Sequence, residues 1–145
     1  MDLFTKCYRF EDADSAREAG TYPYFIPLDR NEGTEVVFEG RRIIMCGSNN
    51  YLGLTTHPKV REAARKAIDL YGTSCTGSRF LNGNMTIIEE LERQLAEWVG
   101  KEVALVFSTG MQVNLGTISS LIGKDDTVIL DKEDHASIVD GARLG

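Results

Sequence analysis

A short loop that follows an apolar run carries residue types suited to binding a phosphate group. The loop spans residues 108–112, with the sequence STGMQ, and separates the apolar run 103–107 from a helical pattern. Gly110 would let the backbone come close to a ligand, and the start of the following helix offers free N–H groups and a positive dipole end. A plain strand-to-helix turn without a ligand explains the same residues equally well.

A histidine follows the next apolar run, at the start of another helical pattern. His135 lies in the polar stretch 131–137, directly after the run 127–130. Ligands of open parallel sheets gather beyond the carboxyl ends of the strands, and an imidazole there could stack on an aromatic ring or transfer a proton. The alternative is a surface histidine near a helix cap. For the other histidine, His57 beside Pro58, capping or surface exposure is the favoured interpretation.

Two other loops are rich in polar residues and glycine. They are residues 49–54, around a single tyrosine, and residues 76–83, around Arg79. A guanidinium among Gly, Ser and Asn residues is suited to binding a carboxylate or a phosphate. Taken alone, each loop could equally be an ordinary turn.

Signature motifs of several enzyme classes are missing. In a nicotinamide-dependent dehydrogenase domain, Asp131 would bind a ribose, but the G-x-G-x-x-G motif would require glycine where Gln112 and Leu115 stand. The sequence contains no H-E-x-x-H, P-loop or G-x-S-x-G motif, which argues against a metalloprotease, a P-loop NTPase and an α/β-hydrolase. The three cysteines form no C-x-x-C pair, so no zinc site or disulfide framework is indicated, and we expect a reducing, cytoplasmic compartment.

Hydrophobic periodicity and turn residues predict the elements that must position these loops. Helices are predicted over residues 1–19, 58–71, 86–99 and 111–122, and a further helix begins near Ala136. The β-rich runs 34–38 and 41–46 around Glu39-Gly40 predict a hairpin. The helix over 86–99 is expected to bury one apolar face, which consists of Ile87, Leu91, Leu95 and Trp98.

The second half of the chain has the pattern of an α/β protein. The apolar runs 103–107 and 127–130 do not alternate with polar residues, and a helical pattern separates them. Such strand–helix–strand patterns predict a right-handed βαβ unit in a parallel sheet covered on both faces. Because two parallel strands do not complete a domain, we expect the chain to be the N-terminal part of a larger protein.

Composition and charge limit the classes further. The 145 residues suit one domain or two small ones, and 42% hydrophobic with 26% charged residues is an ordinary globular composition. The net charge of −6 argues against a nucleic-acid partner. No apolar run approaches the ~20 residues that span a bilayer, so no integral membrane segment is expected. The charged N-terminus lacks the apolar region of a signal peptide.

Four motifs occur in order along the chain: NYLG at 50–53, GSRFLNG at 77–83, FSTGMQVN at 107–114 and DHASIVDG at 134–141. Together they resemble the motifs of the α-oxoamine synthases, which are pyridoxal-phosphate (PLP) enzymes of the aspartate-aminotransferase fold, fold type I. The loop 76–83 is most similar to the serine palmitoyltransferase-like branch. The 2-amino-3-ketobutyrate CoA ligases and 8-amino-7-oxononanoate synthases are the nearest siblings. The resemblance covers the whole chain. It implies an N-terminal helix, arm and hairpin over residues 1–55 and the first part of the PLP-binding large domain over 56–145.

The resemblance also implies roles for individual residues. Backbone groups of Gly110 and Met111 would hold the cofactor phosphate. His135 would be the catalytic residue that stacks on the pyridine ring and guides the amino-acid substrate. No residue is expected to bind a metal ion.

Four further residues are implied in substrate binding. Asn50 would lie near the substrate carboxylate, and Tyr51 near the cofactor. Ser78 and Arg79 would border the site. The last three are candidates for contacts across a dimer interface, since the resemblance implies a homodimer with a shared active site.

The implied reaction joins an amino acid, serine or glycine-like, to an acyl thioester with loss of carbon dioxide. The acyl group would come from acyl-CoA or an acyl carrier protein, as in sphingolipid biosynthesis. PLP supplies the electron sink for such chemistry, and the protein binds, orients and tunes it.

The sequence departs from the family pattern at two points. Ile88 stands where the serine palmitoyltransferase-like branch usually has a histidine, which concerns the handling of the acyl donor. The Schiff-base lysine, the acidic partner of the pyridine nitrogen and the carboxylate-binding arginine follow later in the family, beyond Gly145. We therefore expect the 145-residue chain alone to be inactive. The alternative is a noncatalytic fragment that serves as a binding or assembly piece.

Overall fold

The computed structural model describes residues 2–145, except for the side chain of Asn31, and the chain forms two compact units. The first unit extends to Gly72, and the second is Thr73–Gly145. The predicted division at residue 55 refers to the parts of a longer enzyme and stays a prediction. Among the described residues, no helix is both long enough and apolar enough to cross a membrane.

The predicted single helix over residues 1–19 is wrong, because the structure has two short helices in its place. Helix α1 is Thr5–Tyr8 and helix α2 is Asp12–Glu18, and neither has a side-chain N-cap hydrogen bond. Apolar side chains of this segment, such as Leu3 and Tyr8, are exposed and pack on no other described element. Without packing, helices of this length are marginal, so a single long helix is not stabilised here. Residue 1 of the predicted helix lies outside the described residues.

The predicted hairpin is confirmed, and it carries an additional strand. Strands β2 (Glu35–Phe38) and β3 (Arg41–Ile44) pair antiparallel. The turn residues Glu39 and Gly40 both have positive φ, 49° and 74°, which matches the twist of a two-residue hairpin. Strand β1 (Arg30–Asn31), which the sequence did not indicate, pairs with the other edge of β2.

Two long helices have the bounds expected from their end signals. Helix α3 is Pro58–Tyr71 and helix α4 is Thr86–Val99; a short 3₁₀ turn precedes α3. The predicted burial of one face of α4 is wrong, since Trp98 is 82% exposed and the buried residue of α4 is Ala96. No described element covers the predicted apolar face.

The predicted βαβ unit is not formed by the described residues. Residues 103–107 and 127–130 are not in strands, and no backbone hydrogen bond joins them. A strand needs a hydrogen-bonded neighbouring strand, and these two segments do not pair with each other. Helices α5 (Gly110–Leu121) and α6 (Ala136–Leu144) follow them and pack together. A Cβ at Gly141 would lie 2.9 Å from the backbone oxygen of Asn114, so the two helices approach closely there.

Candidate functional site

The start of helix α5 is an open cradle of backbone donors. Thr109 is the N-cap, and its Oγ1 accepts a hydrogen bond of 3.1 Å from the backbone N–H of Gln112. The N–H groups of Gly110 and Met111 donate to no described residue. A Cβ built at Gly110 meets nothing within 4 Å, and the first turn contains no acidic residue. The arrangement therefore fits an anionic group such as a phosphate.

The 76–83 loop lies beside this cradle in the same unit. Arg79 lines one concavity together with residues of the 108–112 loop and the start of α5, including Ser108 and Gln112. The structure thus brings the predicted loop and the predicted phosphate site together. Arg79 is the residue of the 76–83 loop that lines this concavity. Its hydrogen bonds within the chain limit what its side chain can bind.

The guanidinium of Arg79 is already engaged by the chain. Both Nη atoms donate to the carboxylate of Glu92, with Nη2 2.9 Å from Oε2. Nη1 also donates to the Val106 carbonyl at 3.2 Å, and Nε donates to Oδ1 of Asn84 at 2.9 Å. A guanidinium has five N–H donors, so few remain for a substrate. The substrate contact of Arg79 stays a prediction, and its structural role is to tie the loop to α4.

Glu92 is a residue that the sequence analysis missed. Its carboxylate also accepts a hydrogen bond of 2.8 Å from the backbone N–H of Val106, two residues before the 108–112 loop begins. The hydrogen bond from Arg79, and then that from Val106, lower the pKa of Glu92 from 4.5 to about 2. The same contact raises the pKa of Arg79. No periodicity marks a pair thirteen residues apart, so no signal in the sequence could have found it.

The backbone of Ser78 closes the 76–83 loop. Its carbonyl oxygen accepts hydrogen bonds from the N–H groups of Leu81, Asn82 and Gly83, at 3.1, 3.2 and 2.8 Å. A Cβ at Gly83 would lie 1.9 Å from the backbone oxygen of Gly77, so the turn requires glycine there. The substrate contact of Ser78 stays a prediction.

His135 is the N-cap of helix α6. Its Nδ1 accepts a hydrogen bond from the backbone N–H of Ser137 at 3.2 Å, and the Ser137 hydroxyl lies 2.7 Å from the same atom. The side-chain amide of Asn114, on α5, donates to that hydroxyl at 2.8 Å. Capping and ligand contact were alternatives for His135, yet the two are compatible, because capping uses only one ring nitrogen.

The other histidine also caps its helix, which confirms the interpretation favoured for it. Nδ1 of His57 accepts a hydrogen bond of 3.2 Å from the backbone N–H of Lys59 at the start of α3.

Asn50 and Tyr51 belong to the first unit, whereas the other predicted site residues belong to the second. Oδ1 of Asn50 accepts a hydrogen bond of 3.3 Å from the backbone N–H of Thr55. The Tyr51 hydroxyl donates to Oδ1 of Asn49 at 3.2 Å, and the ring is exposed. Both side chains sit in a tight turn that Gly53, with φ of 65°, completes. Their contacts with substrate and cofactor stay predictions.

Comparison with known proteins identifies the relatives of the chain. The serine palmitoyltransferase of Sphingobacterium spiritivorum is 51% identical over 142 residues, which are 98% of this chain and 36% of that protein. The 8-amino-7-oxononanoate synthase of Thermoanaerobacter pseudethanolicus is 41% identical over 134 residues, which are 92% of this chain and 34% of that protein. The chain thus spans about a third of the length of the relatives that it matches.

Solved structures agree with the sequence relatives. A serine palmitoyltransferase from S. paucimobilis with bound PLP–myriocin aldimine superposes with a TM-score of 0.92 at 38% identity, covering 100% of this chain and 37% of that one. The Sphingomonas wittichii serine palmitoyltransferase gives a TM-score of 0.89 at 44% identity, with the same coverage. These findings confirm the predicted α/β fold class and the resemblance to the α-oxoamine synthases. They give no support to a nicotinamide-dependent dehydrogenase.

A family match covers most of the chain and includes every predicted site residue. The Aminotransferase class I and II family matches residues 41–145, from the last strand of the hairpin through the start of α5 and His135. The chain belongs to the class I and II aminotransferase family.

Proposed function

We propose that the chain is the N-terminal part of a PLP-dependent α-oxoamine synthase similar to serine palmitoyltransferase. The whole enzyme condenses serine or a glycine-like amino acid with an acyl thioester, carried by CoA or a carrier protein, and releases carbon dioxide. The higher identity to the serine palmitoyltransferases than to the 8-amino-7-oxononanoate synthases, 51% against 41%, supports this branch. A cytoplasmic homodimer that acts in sphingolipid biosynthesis belongs to the same proposal.

The observation that carries the proposal is the open start of helix α5. The free N–H groups of Gly110 and Met111 point to an anion site at the positive end of a 12-residue helix. A phosphate fits this cradle, since a Cβ at Gly110 would meet no atom within 4 Å apart from those of its chain neighbours and its own helix. In the whole enzyme these two residues hold the phosphate of PLP, and PLP supplies the electron sink for carbanion chemistry.

The remaining predicted residues bind and orient the substrate around this anchor. His135 covers the ring of the cofactor and offers its free ring nitrogen to the amino acid. Asn50 binds the amino-acid carboxylate, and Tyr51 and Ser78 border the site. Arg79 contributes mainly by fixing the 76–83 loop against α4 through Glu92, because that carboxylate occupies its guanidinium.

A cofactor titration of the full-length protein tests the proposal. Gly110→Val places a branched side chain in the cradle, where a Cβ meets no packed neighbour within 4 Å, so PLP affinity is expected to fall strongly. Gly123→Val is the matched control, since Gly123 follows the opposite end of α5 and a Cβ there has only one neighbour, at 3.9 Å. Equal PLP affinity of wild type and Gly110→Val would contradict the anion site.

The substrate is tested separately with labelled amino acids. Wild-type protein with PLP is incubated with carboxyl-labelled serine, glycine or alanine and with acyl-CoA of long or short chain length. Release of labelled carbon dioxide with serine and a long-chain acyl-CoA is expected. Release of labelled carbon dioxide only with another combination of amino acid and acyl-CoA would contradict the serine palmitoyltransferase-like assignment and indicate a different branch of the family.

A further inference from the structure

We propose that Ser137 and Asn114 are positioning residues that hold His135 in the tautomer with its proton on Nε2. The ring then presents an N–H donor to the carboxylate of the amino-acid substrate, and this use of the donor rests on the proposed function. Neither residue is among the predicted site residues.

The backbone of Ser137 fixes the direction of the first hydrogen bond. An N–H group can only donate, and this one points at Nδ1 of His135 from 3.2 Å. This bond forms only while Nδ1 carries no proton, so it favours the neutral tautomer with the proton on Nε2. One such bond biases the two tautomers without excluding the other.

The hydroxyl of Ser137 adds a second donor to the same nitrogen. It lies 2.7 Å from Nδ1. In the tautomer favoured by the backbone bond, Nδ1 carries no proton, so the proton between the two atoms belongs to the hydroxyl. The Asn114 amide donates into the hydroxyl oxygen at 2.8 Å, which turns the hydroxyl proton towards the ring. Ser137 is only 2% exposed, so water does not compete for this chain of donors.

The packing of α5 against α6 makes the arrangement possible. Asn114 and Ser137 are 23 residues apart in the sequence. Gly141, one turn after Ser137, lets α6 approach the backbone of Asn114, where a Cβ would lie only 2.9 Å from the carbonyl oxygen. A larger residue at Gly141 would separate the amide from the hydroxyl.

His57 provides an internal comparison. It caps α3 through Nδ1 with the same 3.2 Å distance to a backbone N–H, but the residue two positions later is Lys59, which has no hydroxyl. Nδ1 of His57 thus accepts only the capping hydrogen bond. Nδ1 of His135 accepts the capping hydrogen bond and a second one from the buried hydroxyl of Ser137. At His135, Nε2 takes part in no hydrogen bond with a described residue, so it is available to a ligand.

The tautomer of each histidine can be measured in the full-length protein labelled with ¹⁵N-histidine. Long-range ¹H–¹⁵N spectra distinguish Nδ1 from Nε2 as the protonated atom. We expect His135 to be in the Nε2–H form alone and His57 to show a mixture of forms. A wild-type His135 ring protonated on Nδ1 would overturn the inference.

Two substitutions test the positioning residues. Ser137→Ala removes the hydroxyl but keeps the backbone donor, and Asn114→Asp turns the hydroxyl proton away from the ring, towards a carboxylate. Both are expected to give His135 a mixture of forms and to raise the amino-acid dissociation constant several-fold, while PLP affinity stays close to wild type. Ser119→Ala is the control, because that hydroxyl donates to the Leu115 carbonyl within α5.

The outcomes separate this inference from the proposed function. A His135 ring that keeps one tautomer in both variants overturns the role of Ser137 and Asn114, whatever the activity. Failure of wild-type protein to bind PLP or amino acid overturns the proposed function and the contact of Nε2–H with the substrate carboxylate. The tautomer spectra would in that case still test whether Ser137 and Asn114 position the His135 ring.

Discussion

Glu92 receives the guanidinium of Arg79 on both carboxylate oxygens and thereby connects helix α4 to the 76–83 loop. The side chains are 14% and 32% exposed, respectively. The same carboxylate accepts a hydrogen bond from the N–H group of Val106. It therefore binds the 76–83 loop and the segment 103–107 at the same time. Removing it would leave a half-buried cation and a backbone donor without their partner.

We therefore expect Glu92→Ala to destabilise the second unit clearly. The matched control is Glu90→Ala on the same helix, because Glu90 pairs with Arg93 in an exposed geometry, with side chains 51% and 60% exposed. Exposed pairs of this kind contribute little. Thermal melts should show a lower midpoint for Glu92→Ala than for Glu90→Ala, and equal midpoints would refute a structural role of the Arg79–Glu92 pair.

The same pair predicts a pH dependence of stability. The pKa of Glu92 in the folded protein is about 2, against an ordinary value of 4.5. Its stabilisation is therefore complete above about pH 4.5 and is lost as the pH falls towards 2, because the unfolded chain takes up the proton first.

Denaturant titrations between pH 6 and pH 2 would measure this effect on wild type and Glu92→Gln. Wild type should be the more stable at the upper end, and the difference should shrink as the pH falls. The pKa of Glu90 is also lowered to about 2, mainly by Arg93, and its titration would overlap that of Glu92. The comparison should therefore be repeated between Glu90→Gln and the double variant Glu90→Gln/Glu92→Gln. A difference that is constant with pH would contradict the assigned ion pair.

Gly83→Ala is expected to disrupt the 76–83 loop. The new Cβ would overlap the backbone oxygen of Gly77, and neither backbone segment can yield as a flexible side chain would. Overpacking of this kind costs about 1–3 kcal/mol, measurable as a shift in the denaturant midpoint. Gly47→Ala, where a Cβ meets nothing within 4 Å, should stay close to wild type. Equal stability of the two variants would show that the turn can adopt another form.

The two roles of His135 can be separated by two substitutions. His135→Asn keeps a side-chain acceptor for the start of α6 but removes the ring, while His135→Phe keeps a ring and removes the cap. Loss of an N-cap costs about 1 kcal/mol, so only His135→Phe should lower stability. In the full-length protein, Phe should retain more PLP affinity than Asn, and both should lose amino-acid affinity. Equal stability of the two variants would contradict the capping role, and unchanged amino-acid affinity would contradict the substrate contact.

Local signals explain what the sequence could predict. Pro58 and Gly72 mark the ends of α3, Gly100 ends α4, and Glu39-Gly40 has the backbone preference of a hairpin turn; each acts through its own neighbours. The cradle at Gly110 was recognisable for the same reason. It depends only on a turn and on the helix that follows.

Features that depend on distant partners could not be predicted. Burial of α4 was inferred from periodicity, but periodicity identifies an apolar face without identifying what covers it. The Arg79–Glu92 pair and the contact of Asn114 with Ser137 each join separate elements, and nothing in the local sequence indicates which atoms meet.

The segments 103–107 and 127–130, which are in no strand among the described residues, have a consequence for the rate of folding. The elements that contact each other in the structure are neighbours along the chain: the strands of the sheet, the 3₁₀ turn with α3, and α5 with α6. Such local contacts form early, because little loop entropy is lost in making them. Pairing of either segment with a strand farther along a longer chain would have to close a larger loop. We therefore expect the helices and the hairpin to form first, and sheet formation at these segments to limit the rate.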